Sequence, residues 1–209
     1  MLKRLVMWDN YTSKISGISL IPICYKNVRA EEHTGLKATV NELSKDDTPM
    51  VRRAVAGILG ELSTLYDAES FTTDIKPIIY GFLADDIDSV KIKALEQIGA
   101  ITKLLDQQER DNTLLNVILQ MDAEKRNWRV RYHLPDALSG TVQYFNQELI
   151  TSKVVPFYQG LLKDNEHEVR SNALTQLTPF AKAVKEVFGG NLEPLAPIFA
   201  TIKEMLEVI

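Results

Sequence analysis

The sequence predicts an all-α protein built as a solenoid, in which pairs of helices repeat along the chain and stack on one another. The main observation is a Val followed by a cation that recurs at nearly constant intervals. The four copies are Val51-Arg52, Val90-Lys91, Val130-Arg131 and Val169-Arg170. Apolar residues at helical spacing on both sides of each copy, and a polar segment just before it, complete the pattern. Self-similarity at such a period is typical of helical repeat proteins.

The segment after each Val predicts a helix, here called helix B of the repeat. Residues four and eight positions after the Val are apolar: Val55, Ala94, Leu134 and Ala173, then Leu59, Ile98, Leu138 and Leu177. Residues spaced by four share one side of an α-helix. We therefore predict helix B over 49–66, 88–105, 128–146 and 167–187.

A second apolar stripe precedes each Val and predicts helix A of the repeat. It occupies positions −15 and −11 counted from the Val: Leu36, Ile75, Leu115 and Val154, then Val40, Ile79, Leu119 and Tyr158. This stripe predicts helix A over 29–44, 71–84, 109–122 and 152–163. Short polar turns join helix A to helix B.

We predict that these elements form a single array over residues 1–209. We predict four complete repeats, 29–67, 68–106, 107–148 and 149–188, flanked by half-repeats at 1–28 and 189–209. Both flanking helices are apolar, as Ile21 and Ile198 illustrate. Terminal repeats of a finished solenoid usually have a polar outer face, so we expect a segment of a longer array.

The turns carry residues that start helices. Thr48 is a suitable N-cap with Pro49 at the first helical position, and Asp88 and Asn127 are further N-cap candidates. Asn165 and Glu168 have the spacing of a capping box. The acidic pairs 46–47 and 85–86 are explained by the positive end of the helix dipole. The cations after each Val are expected to pair with acids of neighbouring turns, as exposed ion pairs that contribute about 0 to 1 kcal/mol each.

Composition excludes several classes of function. The chain has 24 Lys and Arg against 28 Asp and Glu, a net charge of −4, which disfavours a surface that binds nucleic acid. The longest apolar, uncharged stretch covers 15–25 and is well short of the roughly 20 residues needed to cross a membrane. Cys24 is the single cysteine and is interpreted as an unreactive, buried thiol of a reducing compartment. We expect a cytoplasmic protein, and the nucleus is an alternative or additional location.

No catalytic, cofactor or metal site is predicted. The three histidines, His33, His133 and His167, fall in three different repeats, and the sequence has no HExxH, GxSxG or phosphate-binding glycine motif. Because these common signatures of catalysis are missing, we predict that the chain is not an enzyme.

Trp128 differs from the other aromatic residues because it lies at a turn, next to Arg129 and outside the Val-based stripe. An exposed Trp beside Arg is typical of an energetic centre in a protein interface. A Trp packed under the neighbouring repeat is the alternative. Pro49-Met50 forms a similar small apolar projection at an earlier turn.

Three segments of the turns and helix starts are distinctive: residues 46–54 (DDTPMVRRA), residues 128–132 (WRVRY) and residues 163–170, which begin Lys-Asp and end Glu-Val-Arg. They resemble successive HEAT repeats of the scaffold (A-type regulatory) subunit of type 2A serine/threonine protein phosphatase. The stretches 2–5 and 12–25 resemble the preceding repeat. The resemblance implies a right-handed HEAT-repeat α-solenoid that acts as a non-catalytic scaffold.

The resemblance also implies which residues contact a partner. Those falling where the family contacts its regulatory B subunit are Asp47, Thr48, Pro49, Met50, Arg53, Asp86, Asp88, Ser89, Trp128 and Arg129. The chain departs from the family at Asn10, where an aromatic residue is usual. The later repeats expected to bind the catalytic subunit are not matched, so the catalytic subunit stays an open second partner.

We therefore predict a scaffold or regulatory subunit, or a fragment of one, of a type 2A phosphatase. It is expected to bind a regulatory B subunit and no nucleic acid or membrane. One alternative is a HEAT-repeat adaptor for another protein, such as tubulin or a nuclear-transport cargo. A second is a HEAT-like DNA glycosylase, which the sparse cations of the helix B positions disfavour. A third is an unproductive gene fragment, which would aggregate.

Overall fold

The computed structural model describes residues 2–6, 10–121 and 128–207, and these residues form helices joined by short turns. The chain divides into two compact units, residues 1–104 and 105–209. The predicted all-α class is confirmed. The predicted single array over residues 1–209 and its repeat boundaries stay predictions, because each unit is described by itself.

Unit 1 contains six helices in its described part. They are α1 (Leu2–Val6), α2 (Tyr11–Asn27), α3 (Ala30–Leu43), α4 (Pro49–Leu65), α5 (68–83) and α6 (Asp88–Leu95, resuming as Ile98–Thr102). Helix α4 packs against α2 on one side and α6 on the other, and α3 and α5 contact α4 from a second layer. Helices α2, α4 and α6 are therefore the B layer, and α3 and α5 are the A layer.

Unit 2 has the same organisation. Its helices are α7 (107–120), α8 (Trp128–Thr141, then a 3-10 turn at Val142–Tyr144), α9 (147–162), α10 (His167–Val187) and α11 (Ala196–Glu207, after a 3-10 turn at Glu193–Leu195). Helices α8 and α10 pack together, and α9 contacts both α10 and α11. Each unit is thus a two-layer stack of helix pairs.

The stripe valines form the core of each unit. Val51, Val90 and Val169 are completely buried and Val130 is 3% exposed. The predicted stripe fails at Leu177, which is only half-buried, whereas Phe180 is buried. Phe180, eleven residues after Val169 and within 20° of it around the helix, fills this part of the core and stacks on Tyr158. The equivalent residues of the other B helices, Leu59, Ile98 and Leu138, are at most 1% exposed. Like Leu177, Leu119 is half-buried, because Ile118 occupies the core face of α7.

Three of the A helices begin earlier in the chain than predicted. Their N-caps are Asp67, Asp106 and Asn146, whose side-chain oxygens accept hydrogen bonds from the backbone N–H groups of Ser70, Glu109 and Glu148. Each of these helices then passes through one π-helical turn, at Phe71–Ile75, Arg110–Leu114 and Ile150–Val154. Neither feature was predicted, although the three caps recur at the same intervals as the stripe valines.

Two B helices are interrupted where one continuous helix was predicted. In α6 the amide of Gln97 bonds to the carbonyl of Ala94, three residues earlier, so the helix tightens before it resumes at Ile98. Helix α8 likewise ends at Thr141 and tightens into its 3-10 turn. These changes alter the ends of the helices but leave the buried stripe in place.

Candidate functional site

The turn between α3 and α4 carries five of the predicted partner-binding residues. Asp47 and Arg53 are exposed, and the Met50 side chain is 48% exposed. Thr48 and Pro49 are half-buried. The turn therefore presents a carboxylate, a thioether and a guanidinium to solvent.

Asp46, which precedes these residues, shapes the turn. Its Oδ1 accepts a hydrogen bond of 2.9 Å from the amide of Thr48, and its Oδ2 lies 2.6 Å from Nζ of Lys14 on α2. Thr48 is the N-cap residue and Pro49 opens the helix, as predicted, but the Thr48 side chain makes no capping bond. The backbone N–H of Thr48 itself donates to Asp46, so Asp46 fixes the turn ahead of the helix.

The turn between α5 and α6 has the same construction and carries three more predicted residues. Oδ1 of Asp85 accepts a 2.9 Å hydrogen bond from the amide of Ile87. Asp86 and Ser89 are exposed, and Asp88 is half-buried. Ile87 is the residue before the helix, so Asp88 is not the N-cap that the sequence suggested.

Arg52 joins these two turns. Its Nε and Nη2 donate to the two carboxylate oxygens of Asp85, at 2.8 and 3.1 Å, and its Nη1 donates to the backbone carbonyl oxygens of Asp46 and Asp47. The Arg52 side chain is 18% exposed and that of Asp85 is 9% exposed. The predicted pairing is therefore present, but it is largely buried and bidentate, not an exposed pair of little consequence.

The two carboxylates of each acidic pair in unit 1 have different roles. The first carboxylate of each pair, Asp46 or Asp85, binds a backbone amide and a cation, whereas the second, Asp47 or Asp86, is exposed and has no side-chain partner among the described residues. Burial alone would raise the pKa of Asp85, but the hydrogen bonds from Arg52 and from the Ile87 amide outweigh it and hold the pKa below its ordinary value. The pKa of Asp46 is lowered in the same way, by Lys14 and the Thr48 amide.

Trp128 and Arg129 lie in unit 2, at the start of α8. Trp128 is half-buried and Arg129 is exposed, and the Arg129 Cζ lies 4.9 Å from the centre of the Trp128 ring. This is a cation–π contact. Trp128 is thus neither fully exposed nor fully buried, and the choice between an interface residue and one packed under the neighbouring repeat stays a prediction. The N-cap candidate Asn127 lies outside the described residues.

Unit 2 repeats the buried ion pair of unit 1. Nε and Nη2 of Arg131 donate to the two carboxylate oxygens of Asp164 at 2.7 and 3.0 Å, and the two side chains are 5% and 8% exposed. Asp164 also accepts a bond from the amide of Glu166, while Arg170 donates to the carbonyl oxygens of Asp164 and Asn165. Glu166 is the residue before α10, so Asn165 does not form the predicted capping box.

Two exposed residues with large side chains were not among the predicted partner contacts. Ile87 is 39% exposed in the α5–α6 turn, and Tyr11 is 50% exposed at the start of α2, directly after the departure noted at Asn10. Asn10 itself caps α2, since its Oδ1 accepts a bond from the Thr12 amide. The signal that could have found Ile87 is its position three residues before a stripe valine, outside the stripe.

The histidines have structural environments in the described residues. His33 stacks on Tyr25 with ring centres 3.9 Å apart, and its Nε2 lies 3.0 Å from the Tyr25 carbonyl oxygen. His133 contacts Tyr132 edge to face, and His167 is exposed at the start of α10. Within the described residues no three His, Cys, Asp or Glu side chains are grouped to hold a metal ion, and no helix is long and apolar enough to span a membrane.

Curated proteins similar to this chain include phosphatase subunits. A probable serine/threonine-protein phosphatase PP2A regulatory subunit of Caenorhabditis elegans is 33% identical over 110 residues, which cover 53% of this chain and 19% of that protein. An A-type PP2A regulatory subunit of Saccharomyces cerevisiae is 30% identical over 168 residues, covering 75% of this chain and 26% of that protein. The resemblance drawn from the turns is confirmed, and so is the prediction of a non-catalytic chain. The chain spans about a quarter or less of the length of these relatives.

Solved structures share the fold. The crystal structure of Cex1p superposes with a TM-score of 0.66 and 14% identity, covering 100% of this chain and 44% of that one. A designed armadillo repeat protein superposes with a TM-score of 0.54 and 15% identity, covering 93% of this chain and 88% of that one. At such identities the likeness concerns the fold alone, and it confirms a solenoid of helical repeats.

A family model described as PIK3R4-like, middle domain matches residues 63–184. The matched stretch begins in α4 and ends in α10, so it includes the buried Arg131–Asp164 pair and the π-helical turns of α5, α7 and α9. Because this match covers more than half of the sequence, the chain with its stacked helix pairs belongs to the PIK3R4-like, middle domain family.

Proposed function

We propose that this chain is a non-catalytic scaffold segment that binds a regulatory B subunit of a type 2A phosphatase through its intra-repeat turns. The observation that carries the proposal is the pair of turns in unit 1. There Asp47, Met50 and Arg53 present exposed side chains on backbone that the buried Arg52–Asp85 pair holds in place. The similar proteins of worm and yeast are named as PP2A regulatory subunits, which supports this class of partner.

The unit 1 turns have the composition of an interface. Met50 and Ile87 offer apolar side chains, and the exposed carboxylates of Asp47 and Asp86 lie beside them in sequence. Interfaces combine a buried apolar centre with a polar rim. Because backbone hydrogen bonds and the Arg52 guanidinium already order these turns, binding would cost less conformational entropy than ordering a free loop.

Trp128 and Arg129 supply the proposed contact of unit 2. The guanidinium over the indole holds the two side chains together, which reduces the number of conformations lost on binding. Trp and Arg are among the residues most enriched where binding energy is concentrated. We therefore assign these two residues to the same regulatory partner.

The proposed mechanism is positional and needs neither cofactor nor metal. A scaffold that holds two partners raises the effective concentration of one at the other. The chain would contribute geometry, and the chemistry would belong to the proteins that it holds. We place this role in the cytoplasm.

The test is a calorimetric titration of the 209-residue chain with purified B subunits, one from each class. We expect saturable binding of one class, and Trp128→Ala should weaken it by about 1 to 3 kcal/mol because an aromatic anchor is removed. Leu174→Ala is the matched control, since it removes an exposed apolar side chain of unit 2 from the middle of a helix, away from the turns. Circular dichroism should show equal helicity for all three proteins. Equal affinities of the two variants would contradict the assignment of Trp128, and no binding to any B subunit would contradict the proposed function.

An adaptor for another protein is the second candidate, since the fold shared with a designed armadillo repeat protein is not tied to phosphatases. The same chain titrated with tubulin distinguishes the two, since binding of tubulin without binding of any B subunit supports the adaptor. A DNA duplex is the third arm of the experiment. The net charge of −4 predicts no binding, and affinity that falls steeply with salt would instead favour the glycosylase alternative.

A further inference from the structure

A groove in unit 1, between α3 and α5, is separate from the exposed turn residues discussed above. Its volume is about 270 Å³, and it is lined by Asn41 of α3, by Ser44 and Lys45 just after α3, by Pro77, Ile78, Gly81 and Phe82 of α5, and by Asp85. This volume lies just below the roughly 300 to 1,000 Å³ of small-molecule sites. The groove is therefore the size of one or two side chains.

One wall of the groove is apolar and firmly packed. Ile78 is 7% exposed and Phe82 is 3% exposed, so both side chains are held by the core and only their edges reach the groove. A Cβ atom added at Gly81 would meet no atom within 4 Å, which shows that open space lies directly over this residue. The surface over Gly81, between Ile78 and Phe82, is therefore open to an apolar side chain of a bound molecule.

The opposite wall is polar and carries one unmatched charge. Of the two charged lining residues, Asp85 is neutralised by the bidentate Arg52 and also accepts the Ile87 amide. Lys45 is exposed, and neither its ammonium nor the Asn41 amide has a hydrogen-bond or ion-pair partner among the described residues. Glu42, one turn before Lys45, makes no ion pair with it. The charge of the groove wall is thus positive and complements a carboxylate.

The length of the groove limits its occupant. From Pro77 to Phe82 the helix rises about 7.5 Å at 1.5 Å per residue, which matches two or three residues of an extended peptide at about 3.3 Å each. We propose that this groove binds a short peptide segment of a partner protein, in which a bulky apolar side chain is followed by an acidic one. The apolar side chain lies over Gly81 against Phe82, and the carboxylate pairs with Lys45. This proposal does not depend on the proposed phosphatase role.

The probe is an acetylated and amidated peptide of sequence Ser-Leu-Glu-Ser, titrated into the isotope-labelled 209-residue chain and followed by NMR. We expect saturable shifts of the backbone amides of Gly81 and Phe82. The peptide Ser-Leu-Lys-Ser should bind about fivefold more weakly or worse, because the pair with Lys45 is lost. Lys45→Gln should weaken Ser-Leu-Glu-Ser to a similar extent and should leave Ser-Leu-Lys-Ser no weaker than before.

Gly81→Leu is the variant that blocks the groove, and Gly160→Leu is its matched control. Gly160 occupies the equivalent position on α9, nine residues before a stripe valine, and an added Cβ there also meets nothing within 4 Å. Both changes replace an exposed helical glycine, so both proteins should remain folded, as circular dichroism would confirm. We expect Gly81→Leu to abolish the shifts and Gly160→Leu to leave them intact. Equal binding of the acidic and basic peptides, shifts that survive Gly81→Leu, or no saturable shift at residues 78–85 would overturn the proposal.

Discussion

Buried arginine side chains bind the carboxylate of a following turn in both units: Arg52 connects the two turns of unit 1, and Arg131 connects the start of α8 to the turn before α10. The Arg52 guanidinium donates to two carbonyl oxygens of its own turn and to the carboxylate of the next, and Arg131 reaches Asp164 with the same fork. Lysine could not reproduce this geometry, because its ammonium is a point charge without the planar fork. Arg52 and Arg131 are therefore structural residues that position the neighbouring turn.

The buried pair of unit 2 should be strongly coupled. We expect Asp164→Ala and Arg131→Ala each to lower the free energy of unfolding by about 3 kcal/mol, because each leaves one charge buried without its partner. The double variant should lose about 2 kcal/mol less than the sum of the single changes. Urea unfolding at neutral pH measures all three values.

The control for this cycle is the pair Lys203–Glu207, whose nitrogen–oxygen distance is 3.8 Å and whose side chains are both more than half exposed. Alanine at Lys203 should cost less than about 0.5 kcal/mol. Additive losses at Arg131 and Asp164 would show that burial of the pair adds no coupling.

Stability should depend on pH through the turn carboxylates. The pKa values of Asp46, Asp85 and Asp164 lie below the ordinary value of 3.8, because hydrogen bonds from cations and backbone amides outweigh burial. A carboxyl whose pKa is lower in the folded state contributes stability that is complete above the unfolded pKa and is lost as pH falls through the folded pKa. The free energy of unfolding should therefore be flat from about pH 7 to pH 5 and fall below about pH 4.

Urea unfolding across this range measures the effect, with Asp85→Asn as the diagnostic variant. Asparagine cannot ionise, so the fall below pH 4 should be smaller in the variant than in the native chain. A curve of unchanged slope would show that Asp85 does not contribute to the acid sensitivity.

At the scale of helices, the stripes and the order of elements could be predicted from sequence, and the details of helix starts could not. Val51, Val90 and Val169 are all completely buried, because apolar residues at a spacing of four settle which face of a helix packs. Helix starts depend on which carboxylate or amide reaches a free N–H. Asp67 and Asp106 do so three residues before the amides that they cap, ahead of the first apolar residue of the stripe. The π-helical turns leave no sequence signal that periodicity detects.

The packing of α1 on α2 depends on a glycine. A Cβ added at Gly17 would lie 2.6 Å from Cγ1 of Val6 and 3.2 Å from Cβ of Leu5, so α1 would have to shift. We expect Gly17→Ala to destabilise the chain by about 1 to 3 kcal/mol, the usual cost of overpacking. Gly35→Ala on α3 is the matched control, since nothing lies within 4 Å there, and it should raise stability by up to about 1 kcal/mol. Thermal unfolding compares the two variants, and equal effects would contradict close packing at Gly17.

At the scale of the molecule, each unit is a stack of helix pairs that is stabilised at its turns by a buried ion pair. The candidate sites lie on the surface of the units. Trp128 and Met50 could be proposed from their place at turns outside the stripe, whereas Asp47, Asp86 and Ser89 were proposed through resemblance, because an exposed polar turn residue follows no periodic rule. Burial of Arg52 and Asp85 was not predictable, since a charge next to a polar turn is expected to be solvated until the neighbouring turn is seen. The groove between α3 and α5 could not be predicted from sequence either. Its lining residues, such as Asn41 and Gly81, are far apart in the chain, and the groove is open because Gly81 has no side chain.

Such a stack should respond locally to damage, because in repeat proteins each repeat contacts only its neighbours. We expect Asp164→Ala to accelerate amide hydrogen exchange in α8 and α10, the helices that Arg131 and Asp164 join, and to leave α2 and α4 of unit 1 nearly unchanged. Exchange measured by mass spectrometry at neutral pH resolves these helices, with Lys203→Ala as the control. Equal acceleration in both units would mean that the chain opens as one cooperative body. The effect of removing the Arg131–Asp164 pair would then measure the stability of the whole fold and not that of the adjacent repeats.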